Sequence, residues 1–258
     1  LFRESSAQAK QRFASARYVG DKIPYLYRHF NDFARRFQGA TVVFMVRDVF
    51  DVAHWWDRIE ALGSDPALAP LVAATPGRRS PGAADGTELL VRAVIGQQVS
   101  VAGARTVAGR AAATLGAALP PSLCTAPRLP VGLERAFPDA DALSAADPTG
   151  FSMPRARGQA LVDACRLVAT GTIALDPGAE RTEVERRLLA VKGIGPWTTA
   201  YIALRALGDP DVFLPTDLGV LRGLANLGGP GEPKAAAALA ERWRPWRSYA
   251  LHHLWSAA

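Results

Sequence analysis

The sequence predicts a mainly α-helical protein whose first residues form a short, truncated or altered segment of mixed α and β character. Three observations carry that expectation. Apolar residues recur at helical spacing from about residue 87 onward, capping residues stand at the ends of those runs, and a β-branched run occurs near the start.

That run, Val42 to Val46, reads Val-Val-Phe-Met-Val after Gly39 and predicts an antiparallel strand. Before it, Tyr25, Leu26, Phe30, Phe33 and Phe37 fit helical better than two-residue periodicity. The stretch Thr75 to Gly82, rich in proline, glycine and arginine, reads as a loop. The expected division is therefore a partly sheet-containing segment, 1–75, and a helical domain, 76–258. Thr87 to Ile95 and Ser100 to Leu115 predict a helical pair, with Ser100 as N-cap and Gly116 as the stop. After a proline-rich loop, Pro120 to Pro130, comes a helix from Arg155 to Thr170, closed by Gly171, with Ala160, Leu161, Ala164, Leu167 and Val168 on one face. Glu180 to Ala190 and Pro196 to Leu207 flank Val191-Lys-Gly-Ile-Gly195, so the hairpin occupies 188–207. Asp217 to Leu227 and Lys234 to Trp243 are the next helices, and Pro245 can open the last one.

Bulk properties narrow the function classes. The chain has 258 residues, 49% of them hydrophobic, enough to bury a real core. Lys and Arg outnumber Asp and Glu by 30 to 24, and a pI near 9.7 suits an anionic partner. Cys124 and Cys165 are too few for a disulfide scaffold, a four-thiolate zinc site or a four-cysteine iron–sulfur cluster. No apolar run approaches the roughly 20 residues of a membrane span, and Leu1 to Glu4 has no signal-peptide pattern. The expected setting is reducing and cytoplasmic.

The hairpin sequence carries the first chemical hint. In Lys192-Gly-Ile-Gly-Pro-Trp197 the glycines permit positive φ and close backbone approach, and Pro196 fits the first turn of a helix. Backbone N–H groups at such a helix start can face a phosphate, an arrangement the helix dipole favours. A tight turn with Ile194 plugging the core explains the same residues. Asp217 then falls at the start of the next helix, as an N-cap or as a carboxylate placed for chemistry. Trp197 and Tyr201, four residues apart, share one face, either of a pocket or of the core. Arg242, Arg244 and Arg247 are interleaved with Trp243 and Trp246, and either face phosphate or form a solvated helix face with the tryptophans buried. His252 and His253 have no accompanying carboxylate or cysteine array, so no metal site is expected.

The run Leu189 to Asp217 resembles the helix-hairpin-helix motif and downstream aspartate of base-excision DNA glycosylases, and within that superfamily the bacterial 3-methyladenine DNA glycosylase II family. Val91 to Ser100 (Val-Arg-Ala-Val-Ile-Gly-Gln-Gln-Val-Ser), Met153 to Arg157 (Met-Pro-Arg-Ala-Arg) and Glu241 to Leu251 are similar to further stretches of that family, in the expected order. The resemblance covers roughly residues 75 to 258. It implies an all-helical glycosylase domain of two helical subdomains, with Asp217 as the catalytic carboxylate. Trp197, Tyr201, Trp255 and Leu218 would form a base pocket, and Lys192, Gly193, Ile194, Gly195, Thr198, Gln97 and Gln98 would contact DNA.

The implied activity is hydrolysis of the N-glycosidic bond of alkylated purines, 3-methyladenine and 7-methylguanine, by a monomer acting on double-stranded DNA without cofactor or membrane. Trp197 stands where bifunctional relatives carry a Schiff-base lysine, which implies a monofunctional enzyme. Gln98 occupies the place of a leucine wedge, Leu218 that of an aromatic and Ser256 that of a tyrosine. Residues 1 to about 50 show no match to the family's small antiparallel-sheet domain. A non-enzymatic DNA-binding module, or a glycosylase for deaminated or mismatched bases, remains an alternative reading.

Overall fold

The computed structural model describes residues 60–97, 99–120 and 133–258. The Val42–Val46 strand, the Tyr25–Phe37 periodicity, Gln98 and all but the first residue of the Pro120–Pro130 loop lie outside the described residues.

Among the described residues the elements are helical: α1 (Ala69–Ala74), α2 (Gly86–Ile95), α3 (Val101–Leu115), α4 (Ala140–Ser144), α5 (Arg155–Ala169), α6 (Arg181–Leu189), α7 (Pro196–Arg205), α8 (Leu218–Asn226), α9 (Pro233–Ala240) and α10 (Arg247–Ser256), with 3-10 turns at Pro148–Phe151 and Glu241–Trp243. An isolated antiparallel bridge joins Ala118 to Arg135. None of the described helices is long and apolar enough to cross a membrane.

Local chemistry sets most of the helix starts. Asp85 accepts a hydrogen bond from the Glu88 N–H at 2.7 Å, Ser100 from Gly103 at 3.1 Å and Asp217 from Val220 at 3.0 Å. Glu180 caps α6 through the Thr182 and Glu183 N–H groups. Each cap of this kind is worth about 1 kcal/mol. Pro245 does not open the last helix: α10 begins two residues later, after Trp246. The expected Lys234–Trp243 helix tightens to 3-10 geometry after Ala240.

The helices enclose two adjoining cores. The first gathers Leu90, Val91 and Val94 of α2, Ala108 and Ala111 of α3, Leu161 and Cys165 of α5, Val184 and Leu188 of α6, and Ile194 and Ile202. The second gathers Leu204, Val212, Leu214, Val220, Leu224, Trp243, Leu251 and Leu254, with Leu62, Leu68 and Val72 from the N-terminal side of the 75–82 loop. Helix α7 serves both, since Ile202 enters the first core and Leu204 the second. Each fully buried aliphatic side chain contributes roughly 1.5–3 kcal/mol, so α7 is fixed from two sides.

Helices α8 and α10 pack through glycine. A Cβ on Gly223 would lie 2.1 Å from the Leu254 carbonyl oxygen, closer than any side chain tolerates. Helix α10 is buried along its length, from Ser248 to Leu254. This contact brings the end of the chain against the start of α8.

Candidate active site

The hairpin joins α6 to α7. Gly193 has φ +101°, which only glycine adopts readily, and a Cβ there would meet Ala160 Cβ at 3.0 Å. Gly195 differs: its φ is −104°, and nothing lies within 4 Å of where a Cβ would stand. Its lack of a side chain therefore keeps the outer face of the turn open. Helix α7 starts with Pro196 and no side-chain cap, and the Gly193 and Gly195 N–H groups make no backbone hydrogen bond among the described residues. Ile194 turns inward, at 5% exposure, and its N–H donates to the Val191 carbonyl. Neither its side chain nor its N–H faces outward, so the turn's outer donors belong to the glycines. Lys192 is exposed beside them.

Thr198 is also buried, at 2% exposure, and its hydroxyl accepts from the Gln97 side-chain amide at 2.9 Å. Gln97 thus ties the turn after α2 to the first turn of α7. These two residues, expected at a DNA surface, satisfy one another. Val99 and Val101 nearby carry apolar side chains into solvent.

Asp217 sits at the N-cap of α8, half-buried. Its Oδ1 accepts from the Val220 N–H at 3.0 Å and from Trp255 Nε1 at 2.8 Å, and its Oδ2 accepts from Trp197 Nε1 at 3.1 Å. Two tryptophans from α7 and α10, 58 positions apart in the sequence, thus converge on one carboxylate. Trp197 stacks on Tyr201 with centroids 5.2 Å apart and planes 7° from parallel. Rings that close leave no gap for a third between them, and the Arg205 guanidinium lies 5.8 Å from the Tyr201 centroid. Aromatic surface for a ligand is then offered by the tryptophans, not by a Trp–Tyr slot. Leu218, at 68% exposure, stands at the rim.

Trp255 is braced from behind by His252, edge to face with centroids 4.9 Å apart. His252 Nε2 lies 3.1 Å from Ser80 Oγ, so the 75–82 loop is anchored to α10. Burial, then the positive charges of Arg205 and Arg78, hold the His252 imidazole down at about 4, neutral near pH 7.

The arginines of the C-terminal stretch are engaged within the molecule. Arg247 Nε donates to Asp211 Oδ1 at 2.7 Å, and its other nitrogens reach the Asp211 carbonyl at 2.8 Å and Glu241 at 2.8 Å. Arg244 pairs with Asp211 and Glu241, and Arg242 with the buried Asp65 at 2.7 Å. Ser248 Oγ donates to the Asp209 carbonyl at 2.6 Å and accepts from the Val212 N–H at 2.9 Å. Together these contacts fasten the 209–212 segment, which delivers Asp217. Arg242 and Arg244 stay exposed on either side of the buried Trp243, as the reading of a solvated face with buried tryptophans expects, whereas Arg247 is largely covered by its carboxylate partners. Sequence reasoning missed Asp211, Ser248 and Gly219; the spacing of Gly219 and Gly223, four apart on one helix, was the available signal. Among the described residues no cluster of His, Cys, Asp or Glu could hold a metal ion.

No family model matches the chain. It is 39% identical over 203 residues to the "Probable bifunctional transcriptional activator/DNA repair enzyme AlkA" of Mycobacterium tuberculosis, covering 77% of this chain and 38% of that protein. It is 37% identical over 195 residues to "DNA-3-methyladenine glycosylase 2" of Escherichia coli, covering 73% and 64%. The chain therefore spans less than two thirds of either relative. An 8-oxoguanine glycosylase/lyase of Clostridium acetobutylicum, solved with double-stranded DNA, shares the fold with TM-score 0.64 at 18% identity, over 89% of this chain and 74% of that one. In the order of its motifs and in sequence, the chain is similar to DNA glycosylases of the helix-hairpin-helix superfamily, and it shares their helical fold.

Proposed function

We propose that the chain is a monofunctional DNA glycosylase that releases alkylated purines, such as 3-methyladenine and 7-methylguanine, from double-stranded DNA. The single observation that carries this reading is the Asp217 carboxylate, half-buried and held between two indoles within one helix length of the hairpin.

The chemistry follows from that group. A flipped nucleotide costs a few kcal/mol to extrude, less for a damaged base, and the tryptophan faces offer it a stacking surface. An alkylated purine is cationic and attracted to such faces. When the C1′–N bond breaks, its electron pair leaves with the base and positive charge grows on the sugar. A fixed carboxylate at Asp217 stabilises that charge. Water then adds to C1′ and loses a proton, leaving a free base and an abasic site. Trp197 follows the hairpin where a lysine nucleophile would be needed for strand cleavage, which supports hydrolysis without a lyase step. The open outer face at Gly195 and the uncapped start of α7 support a backbone contact to phosphate.

Incubating globally methylated duplex DNA with the protein and analysing released bases by mass spectrometry tests the reading. Free 3-methyladenine or 7-methylguanine with intact, abasic strands is the expected result. Salt-sensitive binding without release of any base would leave a DNA-binding module instead. Release of deaminated or mismatched bases alone would reassign the substrate.

A further inference from the structure

We infer that Trp197 and Trp255 are positioning residues for Asp217, acting through their indole N–H groups, and that Gly219 is present because only glycine leaves room for the Trp255 half of this clamp. The inference rests on the glycosylase reading for its consequence, but its geometry stands apart from it.

An indole nitrogen is a donor only, so it can hold an acceptor but not compete for a proton. Asp217 receives one such donor on each carboxylate oxygen, at 2.8 Å from Trp255 and 3.1 Å from Trp197, besides the Val220 N–H at 3.0 Å. Donors from α7, α10 and α8 itself fix both the rotation and the plane of the carboxylate. Each indole is held in turn: Trp197 by its stack on Tyr201, and Trp255 by the edge of His252. An anion that must stabilise growing charge works best when it need not reorganise, and a shift of about 1 Å can cost on the order of 100-fold in rate.

Gly219 supplies the independent observation. A Cβ at this position would lie 2.9 Å from Trp255 Cδ1, 3.3 Å from Trp255 Nε1 and 3.2 Å from Asp217 Oδ1. Its backbone is not in the positive-φ region, so no turn geometry demands glycine here. Glycine inside a helix costs about 1 kcal/mol relative to alanine. The residue therefore opposes local helix stability at the one place where a methyl group would push the indole off the carboxylate.

The test uses the whole chain with Gly219→Ala, Trp197→Phe, Trp255→Phe and Asp217→Asn. In 1H–15N spectra of the free protein, with six tryptophans, Asp217→Asn should shift the indole signals that Trp197→Phe and Trp255→Phe remove, and Gly219→Ala should shift the Trp255 signal. On methylated duplex DNA, Gly219→Ala should keep its melting temperature and DNA affinity while its single-turnover base release falls about 10- to 100-fold. Trp255→Phe, which keeps an aromatic face, should show the same split between rate and affinity. Indole signals indifferent to Asp217→Asn, or wild-type rates in Gly219→Ala, overturn the inference. If wild type releases no base, the proposed function fails and the spectra alone decide the clamp.

Discussion

Helices α7 and α8 begin 22 residues apart and present opposite solutions to the same electrostatic problem. Every helix start exposes N–H groups that favour negative charge. At α8 the chain supplies its own anion, Asp217, and holds it with two indoles. At α7 it supplies none: Gly195 and Pro196 leave the start uncapped and its outer face open. The difference teaches how one physical device can serve two ends. A filled helix start fixes a reactive charge in place, and an open one, on the proposed reading, receives a phosphate from outside.

The largest expected effect comes from removing the built-in anion. Asp217→Asn should lower single-turnover base release by about 10²–10³-fold or more, with DNA affinity little changed; a variant as fast as wild type would falsify the assigned role. Next is Gly193→Ala, which breaks the hairpin from inside. The positive φ and the 3.0 Å approach to Ala160 predict a loss of roughly 1–3 kcal/mol, read as a fall in melting temperature of several degrees. Gly195→Ala sharpens the contrast, since its Cβ meets nothing. It should leave melting unchanged and weaken duplex binding several-fold at fixed salt, whereas matching losses in both measurements would show that the two glycines do the same work.

A smaller effect concerns the brace behind Trp255. The folded-state value of His252, about 4, lies below its ordinary 6.5. As pH falls, the unfolded chain therefore binds the proton first. Stability from this group is complete above pH 6.5 and declines between 6.5 and about 4. Melting temperatures at pH 7 and pH 5 should differ less in His252→Gln than in wild type, and identical differences would remove His252 from the account. The smallest effect is chemical: burial pushes the Cys165 thiol up to about 12, so alkylation mapped by mass spectrometry should reach it only after unfolding.

Much of the helical framework was legible because it is written in neighbouring residues. Ser100, Gly171 and the Gly-Ile-Gly run each act within a few positions of themselves, and caps and turns obey such short-range rules. Helix α10 resisted the same reading because it is buried all round and shows no polar stripe. The arginines beside it were ambiguous for a related reason: a guanidinium looks the same in sequence whether it meets phosphate, water or Asp211. At the candidate site, Asp217, Trp197 and Trp255 could be nominated from motif order, yet their convergence could not.

The sequence by itself determined the helical class, the hairpin, and an aspartate at the start of the helix that follows, since spacing and local propensity suffice for these. Tertiary structure alone decided that Trp197 and Trp255 meet on Asp217, that Ile194 and Thr198 face inward, and that Arg242, Arg244 and Arg247 bind carboxylates of the same chain. The physical reason is distance along the chain. Contacts between residues tens or hundreds of positions apart depend on how α7, α8 and α10 pack, and that packing turns on close approaches such as Gly223 against Leu254.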